Sequence, residues 1–201
     1  GELQPLHIFE PRYRQLLTDC LASDHRFGIT AANPPGRGAI GCVARIYRAE
    51  PVGDGRSNIM VLGERRFGVR ALLDEGTAYP VATIEEFADE PETAPLPAER
   101  EELRRLGAEL RLALGILADQ PSDEAPWAED GETLSFQIAS LAEMDLETRA
   151  QLLAGRSTRG RAQALIGLLP PLVTEAKVRA ETHVRARANG KGHHNHDIAV
   201  G

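Results

Sequence analysis

With 201 residues, 42% of them hydrophobic, the chain is long enough to bury a core and suits one domain or two small subdomains. Its formal charge of −7 disfavours a nucleic-acid partner, because phosphate binding draws most of its affinity from excess Lys and Arg. No run of about 18 apolar residues and no basic-then-apolar leader occurs, so a soluble cytoplasmic protein is expected.

Near the start, Pro11 followed by Tyr13, Leu16, Leu17, Cys20 and Leu21 at helical spacing predicts one helix near residues 11–22. From Phe27 to Phe87 the pattern changes to short strands broken by turn residues. Ala39–Tyr47 and Asn58–Gly63 flank Gly53-Asp54-Gly55-Arg56, a hairpin signature. Arg66–Leu72 alternates strictly and reads as a further strand, followed by Tyr79–Phe87. Strands of this kind bury one face and leave the other in water, as antiparallel sheets do.

The acidic, proline-rich stretch Asp89–Pro97 places a boundary between a β-rich part, residues 1–88, and a helical bundle, residues 98–188. In the bundle, Leu103, Leu106, Leu110, Ala113, Leu114 and Leu117 form one apolar stripe. Leu134, Ile138 and Leu141 mark a second helix, and Asp145 is placed to cap a short third one through Leu152 and Leu153. A helix from Ser157 or Thr158 is expected to break or kink at Pro170-Pro171, with a last helix from Leu172. Residues 189–201 read as a flexible polar tail. Strands first and helices second define an α+β protein with segregated layers.

No catalytic constellation is legible. Gly36-Arg37-Gly38 reads as a turn rather than a phosphate cradle, since no Gly-Lys-Ser/Thr follows it. None of the serines stands in a Gly-x-Ser-x-Gly elbow. The two lysines, Lys177 and Lys191, lie too near the end to build a serine–lysine dyad with a desolvated lysine. Cys20 and Cys42 read as small apolar residues, without zinc spacing or a disulfide framework. His193, His194, His196 and Asp197 form the one cluster of metal-ligand type, read as a solvated tail rather than a site. No cofactor is expected.

The segment Pro5-Leu6-His7-Ile8-Phe9-Glu10-Pro11-Arg12-Tyr13-Arg14 closely resembles a motif near the start of the Lon protease N-terminal, substrate-recognition domain. It is followed in order by Arg26–Ile29, Gly41–Ile46, Asp54–Arg56, Asn58–Gly63, Arg65–Phe67 and Tyr79–Ala82, each similar to that family. The helical half is similar mainly in pattern. The resemblance implies a PUA-like antiparallel β pseudo-barrel followed by a helical bundle, and a polypeptide-binding module without the ATPase and peptidase that follow in Lon. It implies unfolded or partner polypeptides as ligands, with Leu6, Ile8, Phe9 and Tyr13 as binding candidates; a PUA-like nucleic-acid-binding domain is the alternative. The family's usual opening strand is not found ahead of Leu3, so a short or unpaired sheet edge is expected.

Overall fold

The computed structural model describes residues 3–31, 34–91, 93–120 and 125–190. The chain divides into two compact units, Gly1–Thr93 with Met144–Ser157, and Ala94–Glu143 with Thr158–Gly201.

In the first unit, β1 (Leu3–Ile8) leads into α1 (Pro11–Leu21), where Pro11 opens the first turn because its missing amide costs nothing there. Then follow β2 (Arg26–Thr30), β3 (Ile40–Gly53), β4 (Arg56–Leu73) and β5 (Val81–Phe87). The sheet is antiparallel throughout, in the order β1-β4-β3-β2, with β5 paired to β4 beyond the end of β1. The two segments expected as separate strands, Asn58–Gly63 and Arg66–Leu72, are one strand of 18 residues, because β3 runs alongside both.

The β3–β4 hairpin closes through Asp54 and Gly55, whose φ angles of 52° and 71° are those of a two-residue turn matched to the strand twist. A bulge further along β4 gives the sheet two packed faces. The register passes from Ala44↔Gly63 to Val43↔Arg65, so Glu64 has no partner and the odd-numbered residues of β4 change faces. Ile59 and Val61 therefore pack with Ala44, Ile46 and the α1 residues Leu17 and Cys20. Phe67 and Val69 pack with Val43 on the other side. Glu64 accepts from Arg26 Nε at 2.7 Å and lies 2.9 Å from Arg45 Nε, which ties β2, β3 and the bulge together.

The helix α4 (Leu146–Ala154) belongs to this first unit, although periodicity alone groups it with the later helices. Asp145 caps it as expected, accepting from the Thr148 amide at 2.8 Å. Leu152 is buried, and Arg66 of β4 adds polar ties: it donates to Leu153 O at 3.0 Å and Gly155 O at 2.6 Å, and pairs with Asp89 at 2.5 Å.

The second unit contains α2 (Pro97–Leu117), α3 (Gly131–Leu141) and α5 (Thr158–Gly190). The Leu103, Leu106 and Leu110 stripe is buried, worth about 2 kcal/mol per side chain in area terms. It faces Leu134 and Ile138 of α3 and the α5 series Ala162, Leu165, Leu169, Val173, Ala176 and Ala180, all buried. Gly107 is obligatory in this contact, since a Cβ there would stand 2.8 Å from Ile138 Cγ1. The expected break at Pro170-Pro171 does not occur: α5 runs through both prolines. Both are exposed, as is Gly167, one of the two residues whose carbonyls lose their amide partners, while the buried stripe continues on the opposite face. Packing along that stripe offsets the lost bonds.

Candidate functional site

The first unit carries a groove of about 800 Å3. The end of β1 and α1 form one wall, β2 another, and β5 with the segment before it a third; Val43, Phe67 and Val69 lie in the floor. The sheet curls enough for Tyr79, just before β5, to donate its hydroxyl to Asp19 of α1 at 2.8 Å. That hydrogen bond, followed by burial and by the charges of Asp19 and Glu75, pushes the Tyr79 phenol up to about 12.

The floor depends on two glycines. A Cβ on Gly28 would meet the Phe67 ring at 2.9 Å, and one on Gly41 would meet the same ring at 2.5 Å, so the ring lies directly over both backbones. The rim holds three large apolar side chains in water: Phe9 is 58% exposed, Ile29 39% and Ile84 42%. Phe9 stacks on His7, whose ring nitrogen hydrogen-bonds Asn58 at 2.7 Å, so the exposed phenyl group is supported from behind.

All four candidates from the sequence motif, Leu6, Ile8, Phe9 and Tyr13, line this groove. They differ in kind. Leu6 and Ile8 are half-buried against the α1-facing core, Tyr13 lies under the Arg12 guanidinium at 4.5 Å, and Phe9 projects into solvent. Ile29, Ile84 and Tyr79 were not singled out from the sequence. Their facing depends on strand register, and the local signals were the strand reading of Tyr79–Phe87 and the family-like segments Arg26–Ile29 and Tyr79–Ala82.

The remaining candidates separate cleanly. His193, His194, His196 and Asp197 lie outside the described residues. Among the described residues no group of three or more His, Cys, Asp or Glu could hold a metal. Cys20 is buried and Cys42 partly so, and neither forms a disulfide. Burial first, then Asp24 and Asp19, pushes the Cys20 thiol up to about 11, and its Sγ donates to Arg26 O at 3.2 Å. Trp127, in an acidic loop, lies under the Arg111 guanidinium at 3.4 Å. No described helix is long and apolar enough to cross a membrane.

The first unit thus joins an antiparallel sheet to an apolar-rimmed groove at the end of the motif strand. The family model for the substrate-binding domain of ATP-dependent protease La (Lon) matches residues 1–170, and the chain belongs to that family. Two solved structures share the fold. A Lon N-terminal domain protein from Xanthomonas campestris superposes with a TM-score of 0.62 at 21% identity, covering 85% of this chain and 91% of that one. The N-terminal domain of Lon protease from Mycobacterium avium complex gives a TM-score of 0.58 at 17% identity, covering 83% and 89%.

Proposed function

We propose that the protein binds polypeptides, unfolded segments or a partner protein, through the groove of its first unit, acting in the cytoplasm as a recognition module or adaptor with no chemistry in these residues. The observation that carries this reading is the grouping of exposed Phe9, Ile29 and Ile84 around one groove with an apolar floor. Large apolar side chains held in water at a concave site are what a docking surface presents. The family description supports polypeptide as the ligand. Leu6, Ile8 and Tyr13 support Phe9 in this reading, and Phe9 makes the contact. The free thiols Cys20 and Cys42 are in keeping with a reducing compartment.

Anisotropy titration with one labelled test protein, in a permanently unfolded and a folded version, tests the proposal. The unfolded version should bind at roughly micromolar affinity, since a shallow patch must offset the ordering of a flexible chain. Phe9→Ser should weaken binding about tenfold, the cost of one aromatic contact. Val184→Ser, on an exposed position of α5, should leave it unchanged. Equal affinity for both versions would sink the proposal, as would ATP hydrolysis or cleavage that persists through repurification.

A further inference from the structure

The groove lies between two strand edges. Among the described residues, β2 ends the strand order and pairs with no strand but β3, while β5 pairs only with β4. Ile46 donates its amide to His25 O at 2.8 Å, which makes Phe27↔Ala44 and Ile29↔Cys42 the hydrogen-bonded pairs of the β2–β3 ladder. The amides and carbonyls of Arg26, Gly28 and Thr30 then point away from β3, toward the groove. Those of Arg26 already have local partners: its amide donates to Asp24 Oδ1 at 3.1 Å and its carbonyl accepts from Cys20 Sγ. Gly28 presents its outward amide and carbonyl without a side chain to shield them, and it is exposed.

The charge around this edge is unbalanced. Asp19 and Asp24 stand at the C-terminal end of α1, where the helix dipole is already negative and the last turn holds no basic residue. Glu75 adds a third carboxylate on the same side, near enough to Asp19 for both to act on the Tyr79 phenol. The arginines lining the groove are engaged, Arg26 with both Glu64 and Asp24 and Arg65 with Glu86, which leaves Asp19 and Glu75 as the carboxylates facing no arginine of the groove. An occupant that complements the site is apolar along Ile29, Ile84 and Phe9 and cationic at the α1 end.

Resting on the polypeptide-binding reading, the geometry points to one occupant and one mode. An extended segment of an unfolded polypeptide adds to the outer edge of β2, exchanging main-chain hydrogen bonds with Gly28, and directs a Lys or Arg toward Asp19 and Glu75. Pairing through the backbone lets a single groove accept many sequences, since the main chain is common to all of them. The apolar rim and the carboxylates supply the selection. A segment with Asp or Glu in place of the cation meets like charge and is rejected.

The test uses the full chain and a fluorescein-labelled peptide of about ten residues, Val/Leu-rich with Lys at one end, long enough to cover a strand of β2's length. Three relatives accompany it: one with Lys replaced by Glu, and two N-methylated on alternate residues, in the two possible registers. The parent should bind and shift the Gly28 amide in the spectrum of the labelled protein. One methylated register should bind about fivefold more weakly, the loss of one net hydrogen bond to the Gly28 carbonyl, and the other should bind like the parent. The Glu peptide should bind about fivefold more weakly at low salt, and Glu75→Lys should reverse that preference. Equal binding by both methylated peptides, or an unmoved Gly28 amide, would overturn strand addition. Equal binding of Lys and Glu peptides would overturn the charge selection. If unfolded protein is bound but the peptide neither binds nor competes, this inference fails while the polypeptide-binding reading stands. If neither is bound, both fail. A concentration-dependent dimer that loses the Gly28 shift on dilution would assign the edge to a second copy instead and overturn the proposal.

Discussion

Replacing Arg66 by Ala tests how the short helix α4 is held to the sheet. The guanidinium and the Asp89 carboxylate facing it are 6% and 5% exposed at the side chain, so this pair is buried and weakly screened. The same guanidinium donates to Leu153 O and Gly155 O at the end of α4 and lies 4.8 Å over the Phe87 ring. Removing it takes the Arg66 charge away from a buried carboxylate and withdraws that donor from two carbonyls. Breaking one side of a buried pair costs about 3–5 kcal/mol, a large share of the total stability of an ordinary domain. The double substitution Arg66→Met with Asp89→Leu removes both charges and should recover roughly half of that loss, the two carbonyls still lacking their donor. Urea unfolding followed by far-ultraviolet circular dichroism gives the stabilities. Hydrogen exchange of the α4 amides reports the local effect, and these should become the fastest-exchanging helical amides of the first unit in Arg66→Ala. A single variant within about 1 kcal/mol of the parent, or a double variant as unstable as the single one, would refute this account of the pair.

Three further outcomes follow from other positions in the first unit. Gly55 has φ of 71°, and a Cβ there would collide with the Arg14 guanidinium of α1, so Gly55→Ala should cost about 1–2 kcal/mol in a urea titration. Adding Arg14→Ala should restore the steric part alone, and full recovery would show that backbone strain contributes nothing. With the Cys20 thiol pushed up to about 11, roughly one molecule in a thousand carries the thiolate at pH 8, so a thiol reagent should modify it slowly until denaturant is added. The raised value also ties stability to pH: the contribution is fully present below the unfolded thiol's value of about 8.5 and is lost as pH climbs to about 11. Stability should therefore fall across that window and fall less in Cys20→Ala; a burst of modification in native protein, or an unchanged slope, would contradict the burial of this thiol.

Several elements were legible because the signals that set them are local. The Asp54-Gly55 turn needs two residues at positive φ, and the sequence offers the pair that adopts it most readily. Asp145 has an amide to accept from three residues on, and Pro11 suits a first helical turn. The Leu103–Leu117 stripe repeats at the helical period and is buried from Leu103 to Ala113, with Leu114 and Leu117 half-buried. The groove's Phe9 wall was legible through the motif around it, which is how Leu6, Ile8, Phe9 and Tyr13 were singled out together.

Tertiary structure decided the rest. Pro170-Pro171 carries a strong local signal to stop a helix, yet α5 continues, because the prolines fall on its exposed side and the buried stripe on either side of them packs as one face. Glu64 gives no local sign of a bulge; the register across three strands forces it, and with it the assignment of Phe67 and Val69 to the groove floor. α4 joins the sheet through a guanidinium more than eighty positions earlier in the chain. The rim brings Phe9, Ile29 and Ile84 together from a strand end and two strand edges. Turns, caps and stripes are set by residues within one or two turns of each other and are written into the sequence by itself. Which apolar side chains remain in water, and which backbone edge stays open, depends on pairings between distant segments that no single segment encodes.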